Sequence, residues 1–152
     1  MSDLQLMPGH LIRRLQQAAV AIFHEEVAKH GIDLTPVQFA ALAQVAEKPG
    51  LDQITLARLI AHDRTTIAGV VDRLVQKNFI SRETNPTDRR AKILQLTSAG
   101  AVMVQAAMPV VEEAQHIILQ GLDAHEREVL LSLLAKAAAA VNDLSRAPLK
   151  SG

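Results

Sequence analysis

The chain has 152 residues, no cysteine, and 16 basic and 16 acidic residues, so its formal charge is zero. This length suits one domain with a substantial core, and a content of 49% apolar but only 2% aromatic residues favours helices over a β-sandwich. The lack of cysteine excludes disulfides and thiol redox sensing, while the lack of a long apolar run or a secretion signal predicts a cytoplasmic protein without a membrane partner.

The first two predicted helices have clear start and stop signals. Pro8 opens an amphipathic helix, because proline is favoured in a first helical turn, and Gly31 is well placed to end it. In the second helix the Thr35 hydroxyl caps the free amides and Gln38 reaches back, which is the pattern of a capping box. This helix is expected to end near residues 47–50.

The stretch over residues 53–78 predicts a helix-turn-helix. Asp52 is expected to cap its first helix, and Ala61-His62-Asp63 forms the turn, with Asp63 capping the second helix. The second helix has apolar residues at three- and four-residue spacing, namely Ile67, Val70, Val71 and Leu74. Asn78 stands at a left-handed helix stop, a conformation that asparagine tolerates. The second helix of such a motif enters the DNA major groove.

A hairpin follows the helix-turn-helix. Residues 80–84 and 91–96 alternate as strands do, with Leu94 and Leu96 on one face. Between them, Asn85-Pro86-Thr87-Asp88 has strong turn chemistry. Arg89 and Arg90 are therefore expected to project at the tip of a basic wing.

Two further helices complete the prediction. Thr97 caps a long helix that Pro109 is expected to bend, because proline removes one backbone hydrogen bond, and Gly121 is expected to end it. Asp123 and Glu126 form a second capping box at the start of a final apolar helix.

The first and last helices are too apolar for one small subunit to cover. The tail from Arg146 is expected to fray, and both ends of the chain are expected to pair with those of a second copy in a two-fold homodimer. The alternative is that the two helices pack on each other within one subunit.

The charge is concentrated in the middle of the chain. Residues 53–97 include eight basic and four acidic residues, so this segment carries +4 and the remainder −4. A basic segment at the helix-turn-helix supports contact with phosphates, although a charged run is more often a solvated face.

The wing sequence Asp88-Arg89-Arg90-Ala91-Lys92-Ile93-Leu94-Gln95-Leu96-Thr97 fits D-x-R-x-x-x-L-x-L-T and resembles the wing signature of the MarR (multiple antibiotic resistance regulator) family. Leu34-Thr35-Pro36-Val37-Gln38-Phe39 resembles the helix before that family's reading head. Asp72-Arg73-Leu74 and Asn78-Phe79-Ile80 resemble the end of its recognition helix, with Asn78 in place of the usual glycine. The likeness extends from about Leu11 to Leu144.

The resemblance implies a mainly α fold with a small β-wing. A winged helix-turn-helix lobe over residues 34–97 would be flanked by dimerisation helices over residues 8–30 and 98–146. It also implies a homodimer that binds double-stranded DNA at a pseudo-palindromic operator, usually as a repressor. A small acidic or aromatic molecule, or an acyl-CoA, would then release the DNA.

Ten residues are candidates for DNA contact: Arg64, Thr65, Thr66, Ala68, Gly69, Arg73, Asp88, Arg89, Arg90 and Lys92. Arg64 has the fork that reads guanine, or it contacts phosphate or solvent instead. Gly69 serves either a close backbone approach to DNA or tight helix packing. Arg89 and Arg90 suit a narrow minor groove, and Asp88 is expected to position Arg90, since phosphates repel a carboxylate.

The effector site is predicted from the resemblance, which places basic residues of the first helix near an acid-binding pocket. His10, Arg13 and Arg14 are the candidates, with Phe39 as an aromatic contact; the alternative is a solvated basic start of the helix. Because the chain has no Tyr or Trp, an aromatic acid and a coenzyme A thioester both stay open.

Enzyme chemistry is not expected. The chain has no HExxH spacing, no nucleophile elbow and no Gly-rich phosphate loop, so neither catalysis nor a cofactor is predicted. Glu112 and His116 share a helix face, but without a second pair a metal site is disfavoured. Two other functions remain: a constitutive or architectural DNA-binding protein, and a winged-helix module that binds proteins.

Overall fold

The computed structural model describes residues 3–60 and 64–145, except for the side chain of Arg64. The elements of this part of the chain are α1 (Pro8–Lys29), α2 (Pro36–Glu47), α3 (Gln53–Leu59), α4 (Arg64–Gln76), β1 (Ile80–Thr84), β2 (Lys92–Leu96), α5 (Ser98–Ile118) and α6 (Ala124–Ala140). Short 3-10 helices at Leu4–Leu6 and Asn142–Leu144 flank them. A helical chain with one two-stranded antiparallel sheet confirms the predicted fold class.

Local signals in the sequence set most helix boundaries. Side-chain caps form at the starts of four helices, from Thr35, Asp52, Thr97 and Asp123. Gly31 and Asn78, both predicted as helix stops, have φ angles of +66° and +63°. The predicted turn Ala61-His62-Asp63, with its cap for α4, lies outside the described residues, and so does the tail from Arg146.

The fifth helix ends earlier than expected. Helix α5 ends at Ile118 rather than at Gly121, because the amides of Leu119 and Gln120 both turn back to the Ile117 carbonyl. Gly121 has no positive φ, so this end does not use a left-handed glycine. Pro109 lies inside α5, which continues through it as one helix.

The wing is a regular antiparallel hairpin with one addition. β1 and β2 pair from Ile80 opposite Leu96 to Thr84 opposite Lys92. The backbones of Gly50 and Leu51 also exchange hydrogen bonds with Leu94, at 3.0 and 2.9 Å. The segment before α3 therefore pairs with β2 on the side away from β1. This pairing involves too few residues for a strand pattern to be visible in the sequence.

A single core connects α4 and the wing to the rest of the fold. Its fully buried side chains come from α2, α3, α4 and both strands, and include Leu42, Leu56, Ile67, Leu74, Ile80 and Leu94. Each buried aliphatic side chain of this size contributes roughly 1.5–3 kcal/mol to folding. Helices α1 and α5 extend the core with Phe23, Val27, Val104 and Val111. The core holds α4 in place by one face and leaves its other face outward.

Gly100, in the first turn of α5, lies directly against the chain that leaves α4. A Cβ at this position would overlap the backbone carbonyl of Phe79. The Thr97 amide donates to the same carbonyl at 3.1 Å, and the Thr97 hydroxyl donates to the Asn78 carbonyl at 2.6 Å. The end of α4 is thus fixed to the start of α5 through backbone contacts that only a glycine allows.

Among the described residues, no helix has the length and apolar character needed to cross a membrane.

Candidate nucleic-acid interface

The outward face of α4 is small and polar. Ile67, Val71 and Leu74 are buried, whereas Thr65, Gly69 and Arg73 lie on the outward side, and Ala68 is half-buried beside them. The Arg64 side chain lies outside the described residues, so its predicted contact with a base is not placed. The helix is thus amphipathic: its buried apolar face anchors it in the core, and its exposed face is free to enter a DNA groove.

Gly69 has open space around it. Among the described residues, a Cβ at Gly69 would meet no atom within 4 Å outside its own helix. The interpretation that this glycine serves tight packing on a neighbouring helix is therefore wrong. The other interpretation, a close approach of the α4 backbone to DNA, is compatible with this open space.

Asp72 and Arg82 connect α4 to the wing. The Arg82 Nη1 atom donates to Asp72 Oδ1 at 2.6 Å, with both side chains partly exposed. Arg73, the neighbour of Asp72 in sequence, is exposed and has no hydrogen-bond or ion-pair partner among the described residues. Its guanidinium is accordingly available to a phosphate.

The tip of the wing is organised by two side chains that accept hydrogen bonds from backbone amides. Asn85 Oδ1 accepts from the Thr87 amide at 2.9 Å, and Asp88 Oδ1 accepts from the Arg90 amide at 3.0 Å. The Asp88 carboxylate thus holds the backbone that carries Arg90. Arg89 and Arg90 are exposed at this tip.

Not every basic residue of the segment 53–97 is available to an anion. Lys77 and Arg82 are engaged inside the chain. Lys92 Nζ donates to Thr84 Oγ1 at 3.0 Å across the hairpin, but the side chain is exposed and an ammonium group has two further donors for an anion. The remaining arginines with described side chains have no such partner within the described part of the chain, namely Arg58, Arg73, Arg89 and Arg90. Arg58 is exposed on α3 and was not among the predicted DNA contacts. Its place in the basic segment 53–97 is the sequence signal that could have identified it.

The chain ends present a wide apolar surface. Helix α6 has no buried residue, and its exposed apolar side chains include Val129, Leu131, Leu133 and Leu134. Helix α1 packs on α5 and exposes Leu11, Ile12 and Leu15. Helices α1 and α6 therefore do not bury each other's apolar side chains within one chain.

Two concave regions adjoin α1. A groove of about 610 Å³ lies between α1, α5 and α6 and includes Leu15, Leu119 and Leu131 in its walls. A smaller cavity of about 120 Å³ lies between α1, the start of α2 and α5, with Phe23 and Pro36 in its wall. Either could hold an apolar group.

The candidate effector residues occupy two places. His10, Arg13 and Arg14 lie in the first turns of α1 and line neither concave region; Arg13 donates to Gln17 and Arg14 to Gln5. Phe39 lies deeper, with its ring centroid 6.5 Å from that of Phe23 in the wall of the smaller cavity. One chain alone does not bring the four side chains together.

Glu112 and His116 both lie on α5, and among the described residues no group of three metal-ligating side chains occurs. His116 Nδ1 lies 3.5 Å from Arg127 Nη1. A guanidinium at this distance disfavours a bound cation.

Comparison with known proteins gives consistent matches. The model of the MarR family matches residues 34–92. The transcriptional repressor NicR of Pseudomonas putida is 32% identical over 134 residues, which cover 88% of this chain and 84% of NicR. NicR is thus similar along most of its length.

Solved structures agree with this match. The PcaV transcriptional regulator of Streptomyces coelicolor, in complex with its natural ligand, superimposes with a TM-score of 0.85 at 33% identity and covers 93% of this chain and 98% of PcaV. BpsR of Bordetella bronchiseptica, whose DNA binding is regulated by 6-hydroxynicotinic acid, gives a TM-score of 0.84 at 28% identity, covering 91% of this chain and 97% of BpsR.

Proposed function

This chain belongs to the MarR family of transcriptional regulators, and we propose that it is a repressor that binds a pseudo-palindromic operator as a homodimer and releases it when a small acid binds. Residues 34–97 form the DNA-binding lobe in this proposal. Residues 8–30 and 98–146 form the dimerisation region.

The observation that carries DNA binding is the pairing of two exposed features on one lobe. Helix α4 presents Thr65 and Arg73 outward, and the wing presents Arg89 and Arg90 at its tip. A helix with small polar residues fits the major groove, and guanidinium groups fit the narrow minor groove beside it. Arg64 begins the same helix, where its predicted role is to read a guanine.

The exposed apolar helices support the homodimer. A monomer rarely exposes so many neighbouring apolar side chains, and α6 buries none of its own within one chain. Pairing of α1 and α6 with a second copy would remove this surface from water. Two copies related by a two-fold axis would place both α4 helices about one DNA turn apart, ~34–36 Å.

The smaller concave region supports a small acid as the effector, and the larger groove has room for a bulkier ligand such as an acyl-CoA. The cavity near Phe23 has a volume of about 120 Å³, below the roughly 300–1,000 Å³ of sites for drug-sized ligands. The regulation of BpsR by 6-hydroxynicotinic acid supports an acid of this size. Phe23 supplies an aromatic wall of this cavity, and Phe39 lies behind it. His10, Arg13 and Arg14 lie outside the cavity of one chain, so in this proposal they would contribute positive charge only at the dimer region.

The effector must act through its preference for one arrangement of the dimer. A ligand with equal affinity for both arrangements shifts nothing, whereas a few kcal/mol of preference suffices to release the operator. Binding between α1, α2 and α5 is suited to this, since these helices connect the proposed dimer region with the DNA-binding lobe.

The test begins with duplexes selected by the purified protein from a random library. Their affinity is measured by fluorescence anisotropy at several salt concentrations, then again with a panel of aromatic acids and their coenzyme A thioesters. We expect a steep fall of affinity with salt, because phosphate contacts release counterions, and weaker binding with at least one small acid. Binding that no compound alters would indicate a constitutive DNA-binding protein. Absence of salt-dependent duplex binding would instead indicate a protein-interaction module.

A further inference from the structure

Lys77, the residue that follows α4, is turned into the protein. Its Nζ atom donates to the Asp33 carbonyl oxygen at 2.6 Å and to Gln38 Oε1 at 3.3 Å, and it lies 3.3 Å from Asp33 Oδ2. Only 20% of its side chain is exposed. An ammonium group has three donors, and here three oxygens surround it.

The oxygens around Lys77 belong to the junction between α1 and α2. Asp33 lies in the short connection between these helices, between the buried residues Ile32 and Leu34. Gln38 is 8% exposed, and its Oε1 also accepts from the Thr35 amide in the capping box of α2. The junction is therefore itself anchored, so it offers Lys77 a rigid attachment.

We propose that Lys77 is a positioning residue that fixes the direction of α4 relative to the α1–α2 junction and thereby sets the spacing of the two DNA half-sites. The proposal rests on the proposed function, since it concerns how the dimer presents α4 to DNA. Lys77 itself touches no phosphate, because its donors are used inside the chain.

Lys77 can influence the direction of α4 because it directly follows the last residue of that helix. Buried side chains from Ile67 near the start of α4 to Leu74 near its end hold the inner face of the helix against the core. Lys77 adds an attachment of the C-terminal end of α4 to the α1–α2 junction, beside the backbone contacts that join this end to α5. We expect its loss to change the direction of α4 and with it the position of Thr65. In a two-fold dimer the same tilt is repeated in both copies, so the change in their separation is doubled.

The ion pair is the smaller part of the contact. The Asp33 side chain is 98% exposed, and exposed pairs contribute little. The carbonyl of Asp33 and the amide oxygen of Gln38 are the partners that matter. Asp33→Asn is therefore a matched control that removes one charge and leaves both of these acceptors.

The first test measures the orientation of α4 without DNA. Because the chain has no cysteine, Thr65→Cys introduces one unique site for a spin label in each copy of the full-length dimer. Electron paramagnetic resonance then gives the distance distribution between the two copies. We expect a narrow distribution for the parent and for the Asp33→Asn variant, and a clearly broader or shifted one for Lys77→Met. Lys77→Arg, which keeps the donors, should restore the narrow distribution. An unchanged distribution in Lys77→Met would overturn the proposal.

The second test uses duplexes selected by the parent protein, with the half-site separation shortened or lengthened by single base pairs. Lys77→Met should reduce the affinity ratio between the best and the altered spacings several-fold, with an unchanged dependence on salt. A salt slope reduced by about 0.9 would instead make Lys77 a phosphate contact. A Val104→Ala variant, destabilised in the α5 core, controls for lost stability; equal loss of spacing preference there would also overturn the proposal.

The two tests separate this inference from the proposed function. If the parent protein binds no duplex but the distance distribution responds to Lys77→Met as expected, the positioning role stands and DNA binding is wrong. If the parent binds DNA but neither measurement responds, only the role of Lys77 is wrong.

Discussion

Arg82 donates a hydrogen bond of 2.6 Å to Asp72, and this contact joins the first strand of the wing to the outward side of α4. The two candidate DNA-contacting elements therefore share an ionic link as well as a core. Because both side chains are partly exposed, with 32% and 53% of their surface accessible, the pair adds little to folding, on the order of 0–1 kcal/mol. The contact matters mainly for geometry, because it holds the wing in one orientation relative to α4.

Asp72→Asn should weaken DNA binding although it removes a negative charge. Removal of a negative charge near DNA should strengthen binding by electrostatics alone. If the link to Arg82 orients the wing, the same change should weaken duplex binding several-fold, with a loss of unfolding free energy below about 1 kcal/mol. Anisotropy titrations and urea unfolding measure the two quantities. Tighter binding by Asp72→Asn would contradict an orienting role, and Glu83→Gln, on the exposed part of β1, is the control for charge removal.

Gly100→Ala should destabilise the fold. The new methyl group would overlap the Phe79 backbone carbonyl, so the start of α5 must move away from the end of α4. Overpacking of this kind costs about 1–3 kcal/mol. Urea unfolding gives the loss. Gly121→Ala is the matched control, since a Cβ there meets no atom within 4 Å in the part of the chain that the structure describes. Equal losses in both variants would show that the contact with Phe79 is unimportant.

Gly69→Ala should separate stability from binding. Alanine stabilises a helix interior by about 1 kcal/mol relative to glycine, and the site has room for the methyl group. We expect a higher midpoint of urea unfolding together with weaker duplex binding, because the methyl group would stand between the helix backbone and DNA. An increase in stability without any loss of affinity would remove Gly69 from the proposed interface.

Arg90→Ala should weaken binding to every duplex by a similar factor. Its guanidinium is proposed to sit in the minor groove, where contact is with phosphates and groove potential rather than with a base-specific pattern. The slope of log affinity against log salt should fall by about 0.9 for the lost contact. Loss of sequence preference with an unchanged salt slope would show that the wing reads bases instead.

Leu131→Lys should dissociate the dimer without unfolding the subunit. Leu131 is 58% exposed in the single chain, and a surface substitution in a monomer usually changes stability by less than about 0.5 kcal/mol. Sedimentation velocity at several concentrations should show a lower mass for this variant. His125→Lys, exposed on the same helix, should keep the dimer. Identical sedimentation of both variants would place the interface elsewhere.

Local chemistry within a few residues determined much of this protein from its sequence. The caps at Thr35, Asp52, Thr97 and Asp123 and the left-handed stops at Gly31 and Asn78 depend on near neighbours in the chain, so sequence patterns were enough to locate them. The apolar spacing in α4 likewise separated its buried face from its exposed face. The wing signature over residues 88–97 was sufficient to indicate the family, because its ten residues are contiguous.

Only the tertiary structure decided which charges are available and which backbone segments touch. Lys77 and Arg82 counted as free positive charge in the sequence, yet both are held by oxygens of residues that lie ten or more positions away along the chain. The close approach of Gly100 to Phe79 and the pairing of Leu51 with Leu94 also join residues that are far apart in sequence. Hydrogen bonds and excluded volume act over a few ångströms in space, and a residue pattern shows only separation along the chain. The fold alone brings such groups within reach of one another.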